Sequence, residues 1–248
     1  MYNSVVLFHW YFLYYVITME DYYDRTEQNK IKQCQEMALR LHAGVEYGKG
    51  LSMLDQVNET AALVQEKSNL PSDKKTDVIC AAYLHKSQEV KRIAEGQSPL
   101  TDNEIAELAG QNVAKIVQIL HQEPEDKNKT KQQQWEEKAE WARSLSAKAQ
   151  NANDKFIAHA VQEILLAEKV QNFRTSRDKP NPKKTPIWHK QYYATRMVLV
   201  EALRDVNPAL CNEAKLTKEQ GIKKLEAQNM DKRGLPYSQV LQQFINQR

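Results

Sequence analysis

The sequence predicts an all-α fold, a helical bundle with extra helices at its C-terminal end, and three observations carry that expectation. Glycine and proline are scarce, 7 and 8 among 248 residues, so few positions favour tight turns or break a helix. Apolar residues recur three and four positions apart, the period of one helix face, and no stretch alternates as a half-buried strand would. Helix start signals stand before several of these periodic runs.

Taken in order, Asp24 with Glu27 can form a capping box, and Ile31, Cys34, Ala38 and Leu41 follow on one face. A short loop over Gly44 to Gly50 leads to a second helix marked by Leu54, Val57, Ala61 and Val64. Pro71-Ser72-Asp73 restarts the chain for a third helix, on which Val78, Ala81, Ala82 and His85 share a face. Thr101 and Glu104 form a second capping box, with Leu100 and Ile105 as its hydrophobic staple, and Gly110 interrupts a helix that resumes through Val113, Ile116, Val117 and Leu120. Gln122 to Thr130 is polar and reads as a loop; Trp135, Ala139, Ala142 and Leu145 then mark another helix. After Asn151-Ala152-Asn153 comes the longest helix, with Ile157, Ala160, Val161, Ile164, Glu168 and Asn172 along one side. Pro180, Pro182 and Pro186 break the chain before a helix from about Trp188 to Arg204. Asn207-Pro208 then separates this helix from a tail of two short helices, Thr217 to Asn229 and Tyr237 to Gln247. The expected organisation is an apolar N-terminal extension over 1–23, a helical core over 24–206 and a helical extension over 207–248.

Composition narrows the function. The formal charge is +3 with acidic and basic residues interleaved, which provides no steering field for nucleic acid. The basic stretch from Lys179 to Lys184 contains two prolines and reads as a solvated loop. Cys34, Cys80 and Cys211 are an odd set without CxxC spacing, which fits a reducing cytoplasm and two small core hydrophobes, Cys34 and Cys80. Val5 to Ile17 is mostly apolar but shorter than the roughly 20 residues a spanning helix needs. It also lacks the basic start and cleavage site of a signal peptide. It reads as an extra packing helix or as sequence upstream of a start at Met19, with an interfacial membrane anchor as the other reading. Gly44, Gly48, Lys49 and Gly50 lack both the spacing and the preceding strand of a phosphate loop.

Two polar pairs interrupt apolar faces. His85 and Glu89 are four apart and would stack on the third helix; Glu168 and Asn172 repeat that spacing on the long one. A buried carboxylate needs a cation or a hydrogen-bond partner, and helical bundles build metal and phosphate sites from such side chains on facing helices. Taken alone, a satisfied core histidine and a half-exposed glutamate are the better explanation.

The order of the pieces adds to this. Met37-Ala38-Leu39-Arg40-Leu41-His42-Ala43-Gly44, Ile79-Cys80-Ala81-Ala82-Tyr83-Leu84-His85, Leu108-Ala109-Gly110-Gln111-Asn112-Val113-Ala114 and Leu166-Ala167-Glu168-Lys169-Val170-Gln171-Asn172-Phe173-Arg174, followed by the helix of Trp188 to Leu203, occur in sequence. In this, residues 28–205 resemble the HD-domain alarmone pyrophosphohydrolases, both the hydrolase domain of the long Rel/Spo enzymes and the small stand-alone hydrolases. The resemblance implies an HD-type helical bundle and a manganese ion held by two histidines and two aspartates. Those four positions are Gln56, His85, Lys86 and Glu168 in this chain. It further implies that Glu89 keeps the first member of a Glu-Asp pair that aids the attacking water, while Val90 replaces the second. Asn172 and Tyr192 match positions that touch the nucleotide. Arginines expected near Tyr47 and at Trp188 are missing, with Lys49 or Lys190 as partial substitutes.

Charge arithmetic gives the consequence. Two like charges at about 4 Å repel by about 4 kcal/mol at an effective dielectric near 20, and a divalent ion roughly doubles that. Replacing an aspartate by Lys86 and a histidine by Gln56 therefore predicts loss of most metal affinity, and with it loss of an acidified attacking water. The sequence-level expectation is a catalytically impaired HD-type protein in which Lys86 and Glu89 occupy the catalytic positions and a guanine or other phosphorylated nucleotide still binds. Two alternatives stay open: an active phosphohydrolase of guanosine tetraphosphate or a related nucleotide, with Asp55 or Glu59 completing a rearranged manganese site, and a ligand-free helical module for protein interaction.

Overall fold

The computed structural model describes residues 25–46, 51–122, 128–180 and 184–228. The expected apolar extension, Asp24 of the first capping box, Lys49 and the expected helix from Tyr237 to Gln247 lie outside them. Among the described residues the fold is all α, as the sequence predicts. The helices are α1 (25–42), α2 (Met53–Lys67), α3 (Ser72–Leu84), α4 (Asp102–Ala109), α5 (Gln111–His121), α6 (Lys131–Lys148), α7 (Ala152–Asp178), α8 (Pro186–Ala202) and α9 (Pro208–Gln228). A single 3₁₀ turn spans Val90–Arg92, and the only extended pairing described is an isolated bridge between Glu46 and Ser52.

Local chemistry sets most boundaries. Ser52 caps α2 by accepting from the Asp55 backbone N–H (3.2 Å), and Thr101–Glu104 and Thr130–Gln133 are complete capping boxes. Gly110 ends α4 and starts α5 at φ 96°, a left-handed conformation that residues with a Cβ rarely adopt.

The central element is α7, which packs against α2, α5, α6, α8 and α9. Its apolar residues do not keep to one side. From Phe156 to Phe173 nearly every residue is buried, including Gln162, Glu163, Lys169 and Gln171. A helix surrounded on all sides has no solvent face, so its polar groups must find partners inside. Gln162 donates to the Ala142 carbonyl (2.7 Å), and Glu163 accepts from Ser68 Oγ (2.5 Å), the Asn69 N–H (3.1 Å) and Asn207 Nδ2 (2.8 Å).

Two expectations are corrected. The third helix ends at Leu84, with His85 as its C-cap, so Glu89 is not stacked one turn beyond His85 but follows a turn in the backbone. At the other end, Asn207-Pro208 does not precede a polar tail with a helix from Thr217. Asn207 accepts from the Leu210 N–H (3.1 Å) as an N-cap and Pro208 takes the first helical position, so one long helix begins there. Leu210, Cys211 and Ala214 are fully buried, so α9 shares the core of α7 and α8. The three cysteines are buried free thiols. Among the described residues, no helix is long and apolar enough to cross a membrane.

Candidate functional site

A cavity of about 450 Å³ opens beside the middle of α7. Several elements furnish it. From α2 comes Gln56, from the turn after α3 come Lys86 and Glu89, from α7 come Glu168, Lys169 and Asn172, and from α6 and α8 come Trp135, Lys138 and Arg196. The turn is held by its own backbone: Ser87 N–H donates to the Leu84 carbonyl (2.9 Å) and Leu100 N–H to the Ser87 carbonyl (3.0 Å). This anchoring is what brings Lys86 and Glu89 over α7.

At the centre stands an ion cluster. Lys86 Nζ lies 2.9 Å from Glu89 Oε1 and 3.7 Å from Glu168 Oε2. Glu168 also accepts from Lys169 Nζ (3.0 Å) and Asn172 Nδ2 (3.3 Å), and Asn172 Oδ1 accepts in turn from Gln56 Nε2 (3.5 Å). Burial works against the charge on Glu168, yet Lys169, Lys86, His85 and Lys138 outweigh it and hold its carboxyl well below the usual range. Glu89 is held down likewise, chiefly by Lys86 against the cost of burial. Both are carboxylates at neutral pH.

His85 is 4% exposed. Its Nδ1 donates to the Ala82 carbonyl (2.6 Å), so the neutral ring carries its lone pair on Nε2, which has no hydrogen-bond partner among the described residues. Burial, and secondarily the Lys86 ammonium, push its pKa down to about 4. Gln56 Oε1 is likewise buried without a partner.

This set does not suit a divalent metal. Among the described residues no group of three or more His, Cys, Asp or Glu side chains is placed to hold one. His85 is followed by an ammonium that already neutralises the carboxylates a metal would use. Asp55 and Glu59, the alternative oxygen ligands, line a second, smaller cavity of about 140 Å³ together with Arg174 and Lys179.

Of the residues singled out from sequence, the cavity wall gathers Gln56, Lys86, Glu89, Glu168 and Asn172. Tyr192 stands behind that wall: its ring carries Arg196, whose guanidinium sits 3.6 Å from the ring centre. Lys190 is turned away, paired with Glu226 (2.7 Å). Sequence reasoning missed Trp135, Lys138, Lys169 and Arg196. Trp135 reads as one more apolar position of α6, and the three cations read as ordinary surface charges; only the adjacency of Lys169 to Glu168 hinted at the site.

Comparison of the fold with solved structures finds a metazoan ortholog of SpoT, described as hydrolysing ppGpp and playing a role in starvation responses. The TM-score is 0.55 at 19% sequence identity, over 78% of this chain and 96% of that one. At that identity the likeness concerns the fold. No protein-family model and no curated protein matches the sequence.

Proposed function

We propose that this chain is an HD-type helical domain that binds a phosphorylated nucleotide without a metal ion and lacks metal-dependent hydrolase activity. The observation that carries the proposal is the position of Lys86, whose ammonium joins Glu89 and Glu168 in one cluster. An ammonium there satisfies both carboxylates but has no empty orbital: it neither acidifies a bound water nor polarises a phosphoryl oxygen as a Lewis acid does. Asn172, tied to Glu168, remains as a polar contact at the cavity wall. A guanine nucleotide is the first ligand to test, because the resemblance in sequence and the described activity of the structural neighbour both point to that class.

The test combines turnover and binding. Purified protein is incubated with manganese and guanosine tetraphosphate while pyrophosphate release and bound metal are followed. The expected result is no release and no retained manganese, together with a raised melting temperature in the presence of the nucleotide. Turnover that disappears in His85→Ala would overturn the inactive reading, and a melting temperature unmoved by guanine nucleotides would overturn the binding reading. In the double variant Lys86→Asp/Gln56→His, manganese retention should appear.

A further inference from the structure

Away from the cavity, α1 and α3 lie side by side, joined by three polar pairs that climb both helices in the same direction. Thr76 Oγ1 donates to Glu27, Lys30 Nζ meets Asp77 Oδ1 at 2.7 Å, and the thiols of Cys34 and Cys80 meet each other. Lys30 and Cys34 are four apart and Asp77 and Cys80 three apart, so each helix presents its pair on one face. Both cysteines are fully buried. The ion pair one turn away is not, with side chains 29% and 18% exposed. The seam therefore reaches solvent beside the two sulfurs.

The sulfurs differ in character. Cys80 donates to Cys34 and so favours the thiolate on Cys34, lowering its pKa; the Lys30 ammonium acts in the same sense, against burial. The same bond, with burial, pushes the Cys80 thiol up. Cys211 is a contrast within the chain: its Sγ donates to the Val200 carbonyl (3.2 Å), and burial pushes its pKa up to about 11.

We infer that Cys34 and Cys80 form a dithiol–disulfide couple that hydrogen peroxide closes, fastening α1 to α3. The Cys34 thiolate attacks one peroxide oxygen and the O–O bond breaks; the departing oxygen takes the proton that Cys34 has lost, giving water and a Cys34 sulfenic acid. The Cys80 sulfur then attacks the sulfenic sulfur, the S–O bond breaks, and the hydroxyl leaves as a second water with the Cys80 proton. Two electrons pass from the thiols to the peroxide. A water-sized oxidant suits a buried pair reached by local opening, whereas a bulky disulfide such as oxidised glutathione does not. The bond ties together two helices that hold the cavity turn. α3 ends at Leu84, just before Lys86. At the end of α1, His42 Nδ1 donates to the Arg92 carbonyl (2.6 Å) and the Leu41 carbonyl accepts from the Ala94 N–H (2.7 Å).

The test treats the native chain with hydrogen peroxide and maps it by mass spectrometry without reduction. A Cys34–Cys80 bond within one chain is expected, reversed by dithiothreitol, so that titratable thiols fall from three to one and Cys211 stays free. Oxidised glutathione at the same concentration should give much less. The melting temperature should rise by about 5–10 °C on oxidation, because the bond constrains the unfolded chain. In Cys80→Ala, Cys34 should stop at the sulfenic acid and be captured by dimedone, while Cys80 in Cys34→Ala should not. Three intact thiols after peroxide, a bond to Cys211 or to a second chain, or separate over-oxidation of Cys34 and Cys80 overturns the couple. All of these are read on the native chain, whatever the folding of the variants. Hydrogen exchange at the Ala94 amide should slow in the oxidised chain; an unchanged rate overturns the tie to the cavity turn and leaves the couple standing.

Discussion

Lys86 joins the two carboxylates of the cavity, and its effect there is electrostatic. Glu168 is 8% exposed and stays ionised because cations surround it. Removing one of them, in Lys86→Met, strips a charge-assisted contact from two carboxylates at once and should lower stability by about 1–3 kcal/mol in denaturant titration. Lys169 limits that loss, since it remains 3.0 Å from Glu168. His85 supplies a pH signature. Its folded pKa of about 4 lies below the ordinary value of 6.5, so between those values the unfolded chain binds the extra proton. The His85 contribution to stability should therefore be flat above pH 6.5 and fall by about 1.4 kcal/mol per pH unit as the pH drops towards 4. Subtracting the His85→Gln profile from that of the native chain should isolate this slope, since His42 and Lys138, whose pKa values burial also lowers, contribute to both. The loss from Glu89 and Glu168 appears only at lower pH, because their carboxyls are held below the usual range.

Among the elements, α7 and α9 carry the features that pattern alone does not reveal. The buried Glu163 of α7 gathers Ser68, Asn69 and Asn207, so the cap that starts α9 is also a partner of a core carboxylate. Burial opposes the charge on Glu163, but hydrogen bonds from His159, Ser68, Asn207 and Asn69 outweigh it and lower its pKa. Further along α9, Gly221 allows a close approach to α8: a Cβ there would meet the Tyr193 hydroxyl and lie 2.8 Å from its Cζ. Gly→Ala inside a helix ordinarily stabilises by about 1 kcal/mol. Gly221→Ala should instead destabilise, by about 1–3 kcal/mol as overpacking does, and Tyr193→Phe in the same chain should recover part of the loss. Thermal melting of the three variants checks both signs.

For the molecule as a whole, α9 belongs to the core that holds the cavity. Leu210, Cys211 and Ala214 are fully buried against the bundle, and burying a large apolar side chain contributes about 1.5–3 kcal/mol. Domains of this kind have only about 5–15 kcal/mol of net stability. A chain truncated after Val206 should therefore lose its cooperative thermal transition, not persist as an independent core of 24–206. Circular dichroism melting of the truncated chain gives the answer directly.

Most helix boundaries and the all-α class were legible in the sequence, because helical periodicity, caps such as Thr101–Glu104 and the break at Gly110 are local properties of the chain. Glu89, Glu168 and Asn172 could be singled out by their spacing beside apolar faces, Gln56 and Lys86 only through the family resemblance, and the fold brings all five to one cavity. The start of α9 was misread because a proline signals either a break or a first turn, and its meaning depends on the Asn207 cap and its bond to Glu163. The grouping on Trp135 was hidden for a stronger reason. Lys138, Lys169 and Arg196 come from three helices, each unremarkable on its own surface, and only the packing of those helices brings them to one ring. Local chemistry determined the helices. Tertiary structure decided which charged groups meet, because electrostatic energy depends on distances through space that residue order does not contain.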